Sequence, residues 1–415
     1  MTSQDLYRPD LRDRRARAAA AAFFLTNGGL FASMVPHYPQ IKMDLALNNT
    51  IYGLAVAAFP AGAILAGMAA AVLIRKFTSA KVALFGTVLT ASMVFLVGLV
   101  PSVPTLIAAL LVAGASDAIT DVAQNAQGLR VQRRYGRSII NSLHAVWSAG
   151  VVLGGLGAAG AIAVGMPRST HLILVAILLA AVAVLAWRYS LHGPDDTSVT
   201  GVDTATVTNA DSVVESEAVL RSRTRVLVAL GGMAIIGIVA CAVEDAGSSW
   251  ATLYLSTSLG APAGLAVLGY VALAAAQFVG RATGDRLVDR FGVRRVTRAG
   301  GLLITVGLGC ALMFPSVPGT ILGFAAAGFG VATLGPNVMA ACDELPGLRP
   351  GTGLTVVSWL MRAGFLFAPP LVGAIADAAT LRTGLIVFPV AGALVVLMAG
   401  VMPKYKREEG PLASS

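Results

Sequence analysis

Twelve stretches of the chain are predominantly apolar, and each is long enough to cross the hydrocarbon core of a membrane, which takes about 20 residues. Lipid offers a backbone no hydrogen-bonding partners, so a spanning segment must satisfy its own N–H and C=O groups as a helix. The sequence therefore predicts an all-α membrane protein. The predicted spans are residues 18–37, 51–74, 82–100, 104–128, 138–165, 170–190, 226–255, 264–283, 297–314, 318–341, 352–375 and 383–402.

Composition excludes the soluble alternative. Hydrophobic residues make up 56% of the chain and charged residues 12%, whereas a soluble domain averages about 25% charged. The first span follows an arginine-rich start and resembles a signal peptide in that respect. Eleven further spans follow it and no small-residue cleavage site is evident, so we interpret it as a membrane helix.

The placement of lysine and arginine predicts the orientation. With twelve spans, both termini lie on one side; if that side is the cytoplasm, cytoplasmic segments and helix edges hold 26 of the 30 basic residues. Only Lys42, Arg168 and Arg382 fall outside, and Arg362 lies within a span. Positive charge is enriched in cytoplasmic loops, so we expect cytoplasmic termini in a plasma (inner) membrane. The net charge of +9 then faces lipid headgroups, and we expect no nucleic-acid partner.

An internal repeat divides the chain. The stretch PSVPTLIAALLVAG, which begins at Pro101, returns as PSVPGTILGFAAAG from Pro315, a shift of 214 residues with seven of fourteen positions identical. The same shift pairs Gly114 with Gly328 and Gly150 with Gly364. Two six-helix bundles are therefore predicted, an architecture common among transporters. We expect bundles at residues 1–190 and 225–402, an acidic, Ser/Thr-rich flexible linker at 191–224, and a cytoplasmic tail at 403–415.

A loop between spans 8 and 9 carries the clearest motif, GDRLVDRFGVRR, residues 284–295. It resembles the loop motif of the major facilitator superfamily, in which Asp-Arg is followed by glycine and basic residues, although the leading glycine is displaced and Val293 intrudes. The resemblance covers nearly the whole chain and implies that superfamily's fold. It also implies that the loop latches the cytoplasmic side when the cavity faces out; the alternative is a basic loop without a gating role. The gating candidates are Asp285, Asp289, Arg290, Gly292 and Arg295.

A finer resemblance is to the fucose-permease-like branch of that superfamily. It depends on NSLHAVWSAG at residues 141–150, EDAGSSW at 244–250, and the MVPHYPQIK end of span 1. This resemblance implies a sugar or another small polar metabolite as the substrate.

Polar residues inside the spans are the candidate functional residues, because a charge at mid-membrane costs on the order of 3 kcal/mol. They gather on spans 1, 4, 5, 7, 10 and 11, whereas the cores of spans 3, 6, 9 and 12 carry no charge. The resemblance implies that spans 1, 4, 7 and 10 line a central cavity. The proton-coupling candidates are Asp117, Asp121, Glu244 and His144; the substrate-binding candidates are Asn27, Gln124, Asn125, Asn141, Trp147, Asn337, Trp359 and Arg362.

Spacing refines these hypotheses. Asp117, Asp121 and Gln124 recur every three or four residues and share a helix face. Asp121 and His144 lie at similar depths, so a contact suited to proton handling is possible; otherwise each serves helix packing. Glu244 and Asp245 point about 100° apart, so we expect only one in the cavity and favour Glu244.

Three other side chains leave two interpretations open. Arg362 needs an acidic partner or an anionic substrate. Trp147 and Trp359 either stack on a sugar ring or pack within the protein. Trp250 is interpreted as an anchor at the membrane interface.

The sequence contains no nucleotide-binding GxxxxGK[ST] loop, and no catalytic constellation, metal site or cofactor is expected. We therefore predict a monomeric secondary transporter, not an enzyme, that couples a small-molecule substrate to protons while its halves rock in the bilayer. The alternatives are a multidrug or metabolite exporter of the same fold, an uncoupled facilitator and a non-transporting receptor.

Overall fold

The computed structural model describes residues 10–67, 69–135, 139–193, 217–343, 345 and 352–403. Every regular element in these ranges is a helix, and twelve helices are long and apolar enough to cross a membrane, which confirms the predicted fold class. We number these helices as follows: α1 Leu11–Asp44, α2 Asn49–Ala66, α3 Ser79–Val97, α4 Val103–Tyr135, α5 Ser142–Ala163, α6 Arg168–Tyr189, α7 Val226–Ala251, α8 Ala263–Phe291, α9 Val293–Met313, α10 Val317–Cys342, α11 Gly353–Ala378 and α12 Leu381–Val401.

Several helices extend beyond the predicted spans. α4 continues to Tyr135 and α8 to Phe291, because charged residues continue a helix once it has left the hydrocarbon. The helix that contains α7 begins at Glu217, inside the predicted linker 191–224; residues 194–216 of that linker and the tail from residue 404 lie outside the described residues.

The internal repeat is visible in the packing. A Cβ on Gly114 would overlap the carbonyl group of Phe59, and a Cβ on Gly328 would overlap that of Leu273. Phe59 and Leu273 are themselves 214 positions apart, so the same glycine lets the same pair of backbones meet in both halves.

Two arginines outside the basic clusters repeat in the same way. The Arg168 guanidinium donates to the Gly98 carbonyl at 3.1 Å, and that of Arg382 donates to the Leu312 carbonyl at 2.7 Å. Arg168 and Arg382 are 214 positions apart, and so are Gly98 and Leu312. Each arginine satisfies a carbonyl at the end of a neighbouring helix, where no intrahelical donor remains.

The two halves meet near the ends of the helices that lie away from the termini; we call this end of the molecule the closed end. α2 packs on α11, where a Cβ on Gly53 would overlap the Pro369 carbonyl. α5 packs on α8, where a Cβ on Gly264 would crowd Ala163. The largest cluster of buried apolar side chains extends through both halves.

The corner between α8 and α9 turns at Gly292, with φ 81° and ψ 149°. Its counterpart in the first half is Thr78, with φ 76° and ψ 148°, which is 214 positions earlier. Residues with a side chain rarely adopt this combination of backbone angles, and essentially only glycine does so without strain. Gly292 thus makes a tight turn in the second half, and the first half makes the same turn with a β-branched residue.

We expect Thr78→Gly to stabilise the folded protein by about 1 kcal/mol, because relief of backbone strain exceeds the entropy that glycine loses on folding. Gly292→Thr should destabilise it by a similar amount. Thermal unfolding of the purified variants in detergent measures both changes. A lower unfolding temperature for Thr78→Gly would contradict the strain assignment.

Candidate functional site

A cavity of about 280 Å³ lies between the two halves, close to the lower limit for small-molecule sites. Side chains from α1, α2, α4 and α5 line it on one side, and side chains from α7, α8 and α11 on the other. α10 contributes no lining residue, contrary to the expectation from the resemblance. Because contacts between the halves cluster at the closed end, the cavity opens toward the end that carries the termini.

A hydrogen-bonded chain crosses three helices of the first half. The indole Nε1 of Trp147 on α5 donates to Asn27 Oδ1 on α1 at 2.7 Å. The Asn27 amide in turn donates to Asp117 Oδ1 on α4, also at 2.7 Å. All three residues line the cavity. The chain fixes the Asp117 carboxylate in place and leaves its second oxygen outside this network.

Two carboxylates face the cavity from the second half. Asp245 is buried and accepts from the Ser249 hydroxyl at 2.9 Å. Glu244 lies 3.5 Å from the Arg281 guanidinium. Both acids line the cavity, so the expectation that only one does was wrong. Side chains 100° apart can both border a cavity that curves around their helix.

A polar group surrounds Asp121, one turn nearer the termini than Asp117. The Gln124 amide donates to Asp121 Oδ1 at 3.1 Å, and the Asn125 amide donates to its carbonyl oxygen at 2.8 Å. The hydrogen bonds described for Asp121 come from its own helix, and the predicted contact between Asp121 and His144 remains a prediction.

Other predicted residues lie away from the cavity. Trp359 is 52% exposed, and neither it nor Asn337 lines the cavity. The side chain of Asn141 lies outside the described residues. Substrate binding by these three residues remains a prediction.

The gating candidates lie at the corner between α8 and α9. Four of them have exposed side chains, Asp285, Asp289, Arg290 and Arg295, while Gly292 makes the turn itself. Their latching role remains a prediction.

The closed end is held by a carboxylate that bridges the halves. Asp377 on α11 accepts from the backbone N–H groups of Asn49 and Thr50, at 2.9 and 2.8 Å, and from both of their side chains. Nearby, the Tyr52 hydroxyl donates to the Ser249 carbonyl, and its ring packs edge-on against Trp250. Trp250 is fully buried there, so its interpretation as a membrane-interface anchor was wrong.

The helix containing Trp250 widens into π-helical turns at Gly247–Ala251 and Tyr254–Ser258. These turns place Trp250 against α2.

Comparison with known families decides the identity of this architecture. The Major Facilitator Superfamily model matches residues 18–285 and 233–414. The chain belongs to the major facilitator superfamily. It is an integral multi-pass protein of the plasma membrane, and a transporter rather than an enzyme. The finer resemblance to the fucose-permease-like branch remains a prediction.

Individual superfamily members are similar over most of their length. Membrane protein MosC of Rhizobium meliloti is 27% identical over 391 residues, 94% of this chain and 90% of MosC. An uncharacterised MFS-type transporter of Yersinia pestis is 27% identical over 361 residues, 87% of this chain and 88% of its own. Among solved structures, the nucleoside transporter NupG superposes with a TM-score of 0.75 at 10% identity, covering 94% of this chain and 100% of that one. The D-xylose–proton symporter superposes with a TM-score of 0.70 at 16% identity, covering 95% and 98%. These two structures establish the fold alone.

Sequence reasoning missed the contribution of α8 to the site of this superfamily member. Tyr270, Gln277, Phe278 and Arg281 all line the cavity. Arg281 is one of the 26 basic residues counted in cytoplasmic segments and helix edges, but it lies ten residues before the end of α8 at Phe291. A helical arginine so far from its helix end was the available signal.

We expect Asp377→Ala to loosen the closed end and to raise the population opened there by about fivefold, since hydrogen bonds worth about 1 kcal/mol net are lost. Acrylamide quenching of Trp250, in a background in which Trp147, Trp187 and Trp359 are replaced by Phe, reports the opening. Asp44→Ala is the matched control, because Asp44 pairs with Arg168 within one half. Equal quenching in all three proteins would exclude Asp377 as a lock.

Proposed function

We propose that this chain is a proton-coupled secondary transporter of a small polar solute, a sugar or a related metabolite. The solute binds in the central cavity, and the two halves rock to expose that cavity to one side of the membrane and then to the other. The main support is the position of the cavity: it lies between the bundles, is sealed at the closed end by contacts between them, and contains three carboxylates.

The carboxylates are the proposed proton carriers. Asp117 and Asp245 are bonded to neutral groups, and Glu244 lies beside Arg281. Burial disfavours the charged form of a carboxyl group, so Asp117 and Asp245 can each exchange a proton when the cavity changes the side it faces. Asp121, with His144 and Arg362 near the mouth, forms a relay between the cavity and water.

The size of the cavity and two structural neighbours favour a small solute. About 280 Å³ accommodates one or two rings rather than a large drug. Two solved structures with this fold are named for nucleosides and for D-xylose with protons, which supports a solute of that size. We further propose that the termini and the open mouth face the cytoplasm, and that the protein works as a monomer.

One observation favours a second function, the export of organic cations in exchange for protons. Aromatic side chains form much of the cavity wall: Phe31, Tyr38, Phe59, Trp147, Tyr270, Phe278 and Phe365. Aromatic faces attract cations, and of these rings only Trp147 was among the substrate-binding candidates selected from the sequence.

Proteoliposomes that contain the purified protein and a trapped pH-sensitive dye test the proposal. Sugars, sugar acids, amino acids and cationic dyes are added in turn, with Asp121→Asn and Glu244→Gln measured beside the unmutated protein. Solute-dependent proton movement that either variant loses is the expected result. Equilibration of a labelled solute without proton movement would leave the transporter but refute the coupling.

A further inference from the structure

We propose that the transported solute is a ring compound that carries a protonated amine together with a hydroxyl or carbonyl oxygen. This inference deepens the proposed function, on which it depends only for placing the solute in the central cavity. It is carried by the charges, the unpaired polar atoms and the aromatic rings of the cavity wall.

The charges of the cavity wall favour a cation. Among its described lining residues are three carboxylates, Asp117, Glu244 and Asp245, and one cationic side chain, Arg281. Glu244 already lies beside Arg281. Among the described residues, Asp117 receives a hydrogen bond only from the Asn27 amide, and Asp245 only from the Ser249 hydroxyl. A buried carboxylate needs a cationic or multiply donating partner. An ammonium group on the solute supplies both charge and donors, and an anionic solute would add to the repulsion.

Unpaired polar atoms on α8 point to a second feature of the solute. The Tyr270 hydroxyl and the Gln277 amide nitrogen line the cavity but have no hydrogen-bonding partner in the part of the chain that the structure describes. Both residues are more than nine-tenths buried, and buried polar groups are normally paired. An amide nitrogen only donates, so its partner on the solute is an oxygen acceptor. An amine with a purely apolar body would leave both groups unsatisfied.

The spacing of Tyr270 and Gln277 along α8 indicates the size of the solute. Residues seven apart lie on one helix face, two turns and roughly 10 Å apart along the axis, so Tyr270 and Gln277 contact the solute at two levels of α8. The rings of Phe31, Phe59 and Trp147 lie on the opposite half, where a ring or an ammonium group can stack. A cavity of about 280 Å³ leaves room for one such ring compound.

Matched pairs of probes test the inference by calorimetric binding to the full protein in nanodiscs. Glucosamine is compared with glucose and N-acetylglucosamine, and tyramine with 4-hydroxyphenylethanol and phenethylamine. We expect the amine of at least one set to bind at least about tenfold more tightly than its neutral relatives, as a charge-assisted hydrogen bond provides. We also expect tyramine to bind more tightly than phenethylamine, which lacks the hydroxyl.

Variants assign the preferences to residues. Asp117→Asn or Asp245→Asn should reduce the preference for the amine, and Gln277→Leu the preference for the hydroxyl. Asp10→Asn is the control: it removes an exposed carboxylate outside the cavity while keeping the helix cap that Asp10 provides.

Three results would overturn the inference: equal or tighter binding of the neutral members in both sets, tighter binding of phenethylamine than of tyramine, or no binding of any amine. Different results would refute the proposed function. Proton movement driven by glucose would support the coupled transporter and refute the amine solute. Tight amine binding without proton movement in proteoliposomes would support the amine solute and refute proton coupling.

Discussion

Asp117→Asn is expected to reduce solute-driven proton movement to the level of protein-free liposomes. Asparagine has nearly the shape of aspartate and can still accept the hydrogen bond that Asn27 donates at 2.7 Å. The chain from Trp147 through Asn27 therefore stays intact, and the fold should be unaffected. What the variant loses is the ability to bind and release a proton in the cavity.

The measurement is the rate of dye-reported acidification with a transported solute, normalised to the amount of folded protein. Asp10→Asn, which changes an acid outside the cavity, should leave the rate unchanged. Downhill exchange of labelled solute in Asp117→Asn separates coupling from transport, because an uncoupled carrier still equilibrates its solute. Undiminished proton movement in Asp117→Asn would show that another carboxylate carries the proton.

Alanine at Gly114 or Gly328 is expected to destabilise the protein by about 3 kcal/mol, the upper range for overpacking of a tight core. In each case the added methyl group would overlap a backbone carbonyl, of Phe59 or of Leu273, and a backbone cannot turn aside as a flexible side chain can. The helices α2 and α4 would separate in the first variant, and α8 and α10 in the second.

Gly157→Ala is the matched control for these variants. Gly157 also lies inside a helix, but an added Cβ there would meet nothing within 4 Å. Alanine should stabilise that position by about 0.5–1 kcal/mol, because glycine is the poorer helix residue. The fraction of monodisperse protein after heating in detergent ranks the four proteins. Similar behaviour of Gly114→Ala and Gly157→Ala would refute close packing at the repeat.

The fold could be predicted from the sequence because it depends on features that are visible along the linear chain. A hydrophobic span is contiguous, and the repeat of glycines at a fixed shift required no knowledge of the packing. Helix ends were less accurate: α8 runs past Arg281 to Phe291 although the apolar run stops earlier. Hydropathy indicates where a span leaves the hydrocarbon core of the membrane, whereas backbone hydrogen bonding determines where the helix ends.

The site was only partly accessible, because a sequence does not show which faces of the helices meet. Asn27, Asp117 and Trp147 were selected as polar residues within spans, and the structure joins them in one hydrogen-bonded chain. Their connection across three helices has no linear signature. Tyr270 and Gln277 were overlooked because neutral polar residues are common in membrane helices, and only their unpaired atoms in the cavity distinguish them.

Electron-spin distance measurements at both ends of the molecule test the central claim of alternating access most directly. Label pairs at Lys76 and Arg298 report the end that carries the termini, and pairs at Met43 and Ser258 report the closed end; all four side chains are exposed. Cys241, Cys310 and Cys342 are first replaced by alanine. With a solute that drives proton movement, the first distance should shorten while the second lengthens. Two distances that stay fixed under those conditions would contradict rocking of the halves around the cavity.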